Sequence, residues 1–316
     1  MEFQTRIQIN KQQHDQIDYN SKLLLLGSCF AESIGEKLNY CKFQSLVNPF
    51  GILFHPLAIE KLILNALNDY QYTKADLENH QGIYNCFDAH SKLSSTSESQ
   101  ILSDLNENIQ ITKKWILNSS HLVITLGTAW TYRHIESDVV VANCHKMPQK
   151  QFIKELVSVD DLTQSLSAIL SLVRSVNPDC RFIFTVSPIR HLKDGFVENN
   201  RSKAHLISAV HQIVDRRKHN YYFPSYEMQL DELRDYRFYS EDMIHPNSVA
   251  IEYIWQRFFE SWMSDESLQI MDVIEAIQKD LGHKAFHPES EQHQAFLSNL
   301  EAKKAKLSAQ FPHIVF

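Results

Sequence analysis

Short apolar runs, each followed by a segment with helical spacing, recur along the chain. Residues 23–26 are all leucine and end at Gly27-Ser28, after which Phe30, Ile34 and Leu38 recur at a spacing of four and mark one helix face. Residues 122–126 form a second run ending at Gly127-Thr128, and the valine-rich residues 138–142 form a further extended segment. Residues 159–176 carry Leu162, Leu166, Ile169, Leu170 and Val173 at helical spacing, and Asn177-Pro178 stops the pattern. A run at 182–186 ends at Ser187-Pro188, residues 202–217 are helical, 221–223 extended, and 248–263 form an amphipathic helix after His245-Pro246. Apolar strands separated by helices need crossover connections, so the pattern predicts a parallel sheet covered by helices on both faces, a three-layer α/β/α domain. From residue 265 onward the pattern changes: Ile270, Val273, Ile274, Ile277, Leu281, Phe296, Leu300 and Leu307 recur among many charges with no strand signal. The chain therefore divides into a domain at 1–264 and a C-terminal helical appendage at 265–316, a cover or a surface for homo-oligomer assembly.

Composition narrows the classes of function. With 43% hydrophobic and 22% charged residues among 316, the protein has the composition of a globular domain. A net charge of −7 gives no basic surplus for nucleic acid or an anionic membrane, and no apolar run reaches the length of a spanning helix. The first residues show neither a basic n-region nor a long apolar core, and the five cysteines (29, 41, 86, 144, 180) form no Cys-x-x-Cys pair. A cytoplasmic location, no cofactor and no metal are expected.

Ligands of an open parallel sheet collect beyond the carboxyl ends of its strands, which directs attention to Ser28, Thr128, Asn143, Arg190 and the segment from Asp242 to His245. Ser28 lies between a strand and a helix, where the first N–H groups of the helix can stabilise an oxyanion. A serine hydroxyl needs a base to attack at neutral pH, and His245 oriented by Asp242 would supply one. Ser28 as a plain helix N-cap is the simpler alternative. The neighbouring Cys29 is a second candidate nucleophile, ranked behind Ser28 because cysteine buries well.

These residues also carry a family likeness. Gly27-Ser28-Cys29-Phe30-Ala31 resembles the signature of the GSCFA family, a group placed with the SGNH/GDSL hydrolases, and similar blocks follow in order: Asn48 to Pro56, Cys86 to Ser91, Leu126 to Trp130, Ala142 to Lys146, Thr185 to Pro188 and Asp242 to Pro246. The resemblance spans residues 27 to about 260. It implies a flavodoxin-like three-layer fold, a serine nucleophile in the first block and an Asp-x-x-His pair in the last. It further implies an oxyanion hole built from the Ser28 N–H, the Gly51 N–H and a third-block asparagine, but Ala129 stands where that asparagine is expected. Losing one such donor typically costs about 10²–10³ in rate. Asn143 or the Thr128 hydroxyl can substitute, and Asn143 is favoured for its fixed amide geometry.

Asp88 and His90 share a face if extended and either line the substrate pocket, form a second acid/base pair, or sit in a solvated loop or edge strand; His145 follows Asn143 at the same spacing. Arg190 either binds an anionic substrate group through its planar fork or forms a rim salt bridge. The expected activity is hydrolysis of a small-molecule or carbohydrate acyl ester through a Ser28 acyl-enzyme. An acyltransferase using the same residues, or a non-catalytic binding or scaffold protein retaining the fold, are the alternatives.

Overall fold

The leucines at 23–26 alternate sides, as residues of a strand must, and both sides are buried. That double burial is the signature of a strand inside a sheet with helices on both faces. In the computed structural model, which describes residues 5–283 and 289–316, β1 (Lys22–Gly27) pairs in parallel with β2 (Gln44–Val47) on one side and β5 (His121–Leu126) on the other. β9 (Arg181–Val186) and β10 (Asn220–Tyr222) extend the sheet to the order β10-β9-β5-β1-β2, all parallel. The chain leaves β1 first towards β2 and then returns to the opposite edge of β1 as β5. The crevice between the carboxyl ends of β1 and β5 is thus the switch point where such sheets bind ligands.

One face, with Leu24, Leu26, Ile124, Leu126, Phe182 and Phe184, packs on α2 (Pro56–Leu67), α3 (Glu98–Asn118), α4 (Val159–Val176) and α5 (Phe196–Ile213). The other, with Leu23, Leu25, Val123 and Ile183, packs on α1 (Cys29–Tyr40) and α7 (Ser248–Trp262), past a single turn α6 (Ser225–Glu227) that runs into a π-helical turn at Met228–Glu232. α2 and α3 come in addition to the predicted helices, as do β2 and a small hairpin of β3 (Leu77–His80) and β4 (Ile83–Cys86). The valine-rich segment is β7 (Val139–Val141), and it belongs not to the central sheet but to an antiparallel one, β7-β6-β8, with β6 (Trp130–His134) and β8 (Phe152–Leu156).

The C-terminal stretch forms α8 (Asp265–Leu281) and α9 (Glu291–Gln310). Ile270, Ile274, Ile277, Leu300 and Leu307 join the same buried cluster as α1 and α7, so these periodic positions are satisfied inside the chain. Among the described residues no helix is long and apolar enough to cross a membrane.

Candidate active site

Gly27 ends β1 with φ +137°, and a Cβ there would lie 2.0 Å from the Thr125 carbonyl oxygen. Only glycine lets the two strands close so tightly at this exit. The next residue, Ser28, is extended and caps α1. Its hydroxyl oxygen accepts the Phe30 N–H at 3.3 Å, its own N–H donates to Thr125 O, and its exposure is 0%. The Ser28 hydroxyl makes its hydrogen bond with the Phe30 N–H, and His245 meets the neighbouring Cys29 instead.

Cys29, the first residue of α1, faces the other way. Its Sγ lies 3.9 Å from His245 Nε2. The ring's Nδ1 is 2.7 Å from Asp242 Oδ2, while Asp242 Oδ1 accepts the N–H groups of Ile244 and His245 at 2.9 and 3.0 Å. A proton on Nδ1 donates to the carboxylate and leaves Nε2 as the acceptor facing the thiol. The hydrogen bonds of the His245 and Ile244 N–H groups, and then of the His245 ring, hold the Asp242 carboxyl at about 2, so it is a carboxylate across the neutral range. The loop is clamped by Ser240 N–H to His245 O and by Arg190 N–H to Ile244 O, with Met243 in the left-handed region at φ 57°.

Burial pushes the Cys29 thiol up; its own N–H pulls the other way, Glu32 adds to the rise, and Lys203 and the Phe30 N–H lower it. Burial wins, and the resting group is a thiol. Lys203 was not apparent as a site residue. It is 1% exposed on α5, and its Nζ donates to the carbonyls of Gly127 and Ser187, 2.7 Å each, tying together the chain just past β5 and β9. Burial lowers it to about 7. The signal for it in the sequence is a lysine on the inward face of a helix, one spacing from Leu206 and Val210.

The remaining expected site residues divide. Gly51 takes φ +71°, and its N–H donates to Asn48 O at 2.7 Å, so that donor is already engaged; a Cβ there would lie 2.4 Å from His90 Cβ. The Thr128 hydroxyl accepts the Trp130 N–H and pairs with Ser202, and the Ala129 N–H also donates to Ser202. Asn143 uses Oδ1 to accept the His145 N–H at 2.8 Å, which leaves its NH2 end for a ligand in the cavity it lines. Asp88 is ion-paired with Lys61 at 2.6 Å and receives the Tyr72 hydroxyl, while His90 caps the turn at Ser91–Leu93. The two therefore form no acid/base pair. His145 is buried between Ser91 Oγ and Cys86 O and lines the cavity that Asn143 also lines. The Arg190 guanidinium stacks on Tyr239, 3.9 Å from the ring centroid, beside the His245 loop. Among the described residues no cluster of His, Cys, Asp and Glu could hold a metal.

The chain belongs to the GSCFA family, which it matches over residues 22–258. Residues 274–316 match a second family description, "GSCFA domain protein, C-terminal domain", so the likeness extends into the C-terminal helices as well. No curated protein matches the chain. Among solved structures, a carbohydrate esterase family 3 crystal structure from Talaromyces cellulolyticus is similar at 10% identity and a TM-score of 0.37, covering 81% of this chain and 99% of that one.

Proposed function

We propose that the protein is an acyl-transfer enzyme that works through a thioester on Cys29, with His245 as general base and acid and Asp242 as the group that orients it. The observation that carries this reading is the run of contacts from Cys29 Sγ to His245 Nε2 to Asp242 at a sheet switch point. The serine first expected in this role, Ser28, becomes the cap that sets the direction of the cysteine.

The chemistry follows from the geometry. The thiol proton passes to His245 Nε2 as sulfur bonds to the substrate carbonyl carbon, and the imidazolium is stabilised by the Asp242 carboxylate. The Cys29 N–H, at the positive end of α1, meets the oxyanion, and the Asn143 amide is the better candidate for a further donor because Thr128 is tied to its neighbours. Collapse breaks the bond to the leaving oxygen, which takes the proton from His245. Water or an acceptor hydroxyl then gives its proton to His245 and attacks the thioester, releasing the Cys29 sulfur.

Water as acceptor makes the protein an esterase; a hydroxyl on a sugar or other polyol makes it a transferase. Small acyl esters are the substrate class. Turnover of short-chain p-nitrophenyl esters, with product analysis in the presence and absence of glycerol as acceptor, tests the reading. Activity lost in Cys29→Ala and His245→Ala supports it; turnover unchanged in both overturns it.

A further inference from the structure

A cavity of about 380 Å³ lies under the small antiparallel sheet, with residues of β6, β7 and β8 in its lining. Its position follows from backbone hydrogen bonds. Leu53 N–H donates to Gly27 O, and Phe54 O accepts the N–H groups of Gly127 and Thr128, so the loop bearing Phe54 closes over the ends of β1 and β5. Phe54 and Thr128 line the cavity, as does His191, one residue beyond the Arg190 whose N–H holds the His245 loop.

Its walls have two chemistries. Phe54, Trp130, Tyr132, Val141, Met147 and Phe152 form an aromatic and aliphatic body. The charged side chains are Lys146 and Lys193, both exposed, and no carboxylate is among the described lining residues. In a chain of net charge −7 this is a local reversal of sign. His191 adds no charge, because burial, then Lys203 and His245, lower it to about 3.

The segment carrying Lys146 is held in an unusual shape. His145 and Lys146 are consecutive non-glycine residues in the left-handed region, at φ 48° and 59°. Such a conformation is unfavourable for side chains with a Cβ and persists only where its surroundings fix it. Here they do: Asn143 Oδ1 takes the His145 N–H, the His145 ring is held at both nitrogens, and Met147 N–H closes a turn onto Cys144 O.

We infer that this cavity is the recognition site for a substrate portion that joins an aromatic or branched apolar body to an anionic group, with Lys146 and Lys193 meeting the anion at the rim. The occupant is identified as substrate only through the acyl-transfer reading; the binding itself does not depend on it. At about 30 Å³ per water-sized group the cavity holds roughly a dozen, so a phenylacetate-sized ligand fits.

The test is calorimetric binding of phenylacetate and of its neutral isostere phenylacetamide to Cys29→Ala protein, which keeps the cavity and cannot turn over. Phenylacetate binding about five- to tenfold tighter than the amide, with the preference shrinking at 0.5 M salt and absent in the Lys146→Glu/Lys193→Glu variant, is the expected result. Equal affinity of the two, binding of neither, or a preference that survives the double substitution overturns the inference. The outcome is separate from that of the thioester reading: a Cys29→Ala protein with undiminished esterase activity removes that reading and leaves the binding result standing.

Discussion

Replacing Ser28 by alanine removes a single hydroxyl, and the structure gives that loss a size and a location. The hydroxyl accepts the Phe30 N–H at the start of α1, in a position with no solvent to replace it. N-cap losses of this kind cost about 1 kcal/mol, within a range of about 0.5–2. In a chain of this length that lowers the melting temperature by roughly 1–2 °C and leaves the protein folded at 25 °C. On the proposed thioester route no chemistry passes through the hydroxyl, so kcat/KM of Ser28→Ala is expected to stay within about tenfold of wild type, while Cys29→Ala loses about 10³-fold or more. Ester turnover and urea unfolding, measured on both variants, separate the two roles. A Ser28→Ala protein that unfolds like wild type but loses as much activity as Cys29→Ala would refute the assignment.

Further expectations concern the charges and the backbone. Asp242→Asn removes the carboxylate that stabilises the imidazolium and is expected to lower kcat by about 10²–10⁴ without change in the unfolding midpoint. Because burial raises the Cys29 thiol, its thiolate fraction grows only as pH rises past the ordinary thiol value. Iodoacetamide labelling of resting enzyme therefore climbs through pH 9, whereas a rate flat from pH 5 upward would signal a preformed thiolate–imidazolium pair. Burial raises the Asp15 carboxyl, but the hydrogen bonds of Tyr221, His219 and Arg181 outweigh it and hold it at about 2. A carboxyl held below its unfolded value of 3.8 contributes stability that is present above that pH and lost as pH falls towards 2; about 1.4 kcal/mol per pH unit makes this about 2 kcal/mol. Asp15→Asn is expected to lose that amount at pH 7 by urea unfolding and to flatten the acid limb; an unchanged midpoint would contradict it. Gly51→Ala places a Cβ against His90 at a left-handed φ and is expected to destabilise the fold by about 2–4 kcal/mol in the same assay.

The layered α/β architecture was legible in the sequence because Leu23 to Leu26, residues 122–126 and residues 182–186 are apolar on both faces, which only a strand between two helical layers requires. Which of Ser28 and Cys29 contacts His245 was not. Both are small, both lie at a strand–helix junction, and which one turns outward is decided by Gly27 at φ +137° and by the cap on Phe30, neither of which periodicity reveals. The hydrogen bond between Asp242 and His245 was legible from spacing because three residues in a turn bring an aspartate back onto the imidazole. Asp88 and His90, equally suggestive as a pair, are each engaged elsewhere, Asp88 with the sequence-distant Lys61 and His90 as the cap of the turn that follows it. Gly51 matched the expected second block, yet its N–H is taken by Asn48 O, so a block match alone does not make a donor available. Lys203 was hidden for the opposite reason: a lysine in a helix reads as surface until its inward register is compared with Leu206 and Val210.

The central claim is that the acyl group is carried on sulfur. Incubation with an activated acyl ester, quenching at low pH, and fragment-ion mapping of the peptide containing Ser28 and Cys29 measures this directly, with neutral hydroxylamine applied to a parallel sample. An added acyl mass on Cys29 that hydroxylamine removes is expected, as a thioester requires. A hydroxylamine-resistant adduct on Ser28, or no adduct on either residue while the ester is turned over, would contradict it.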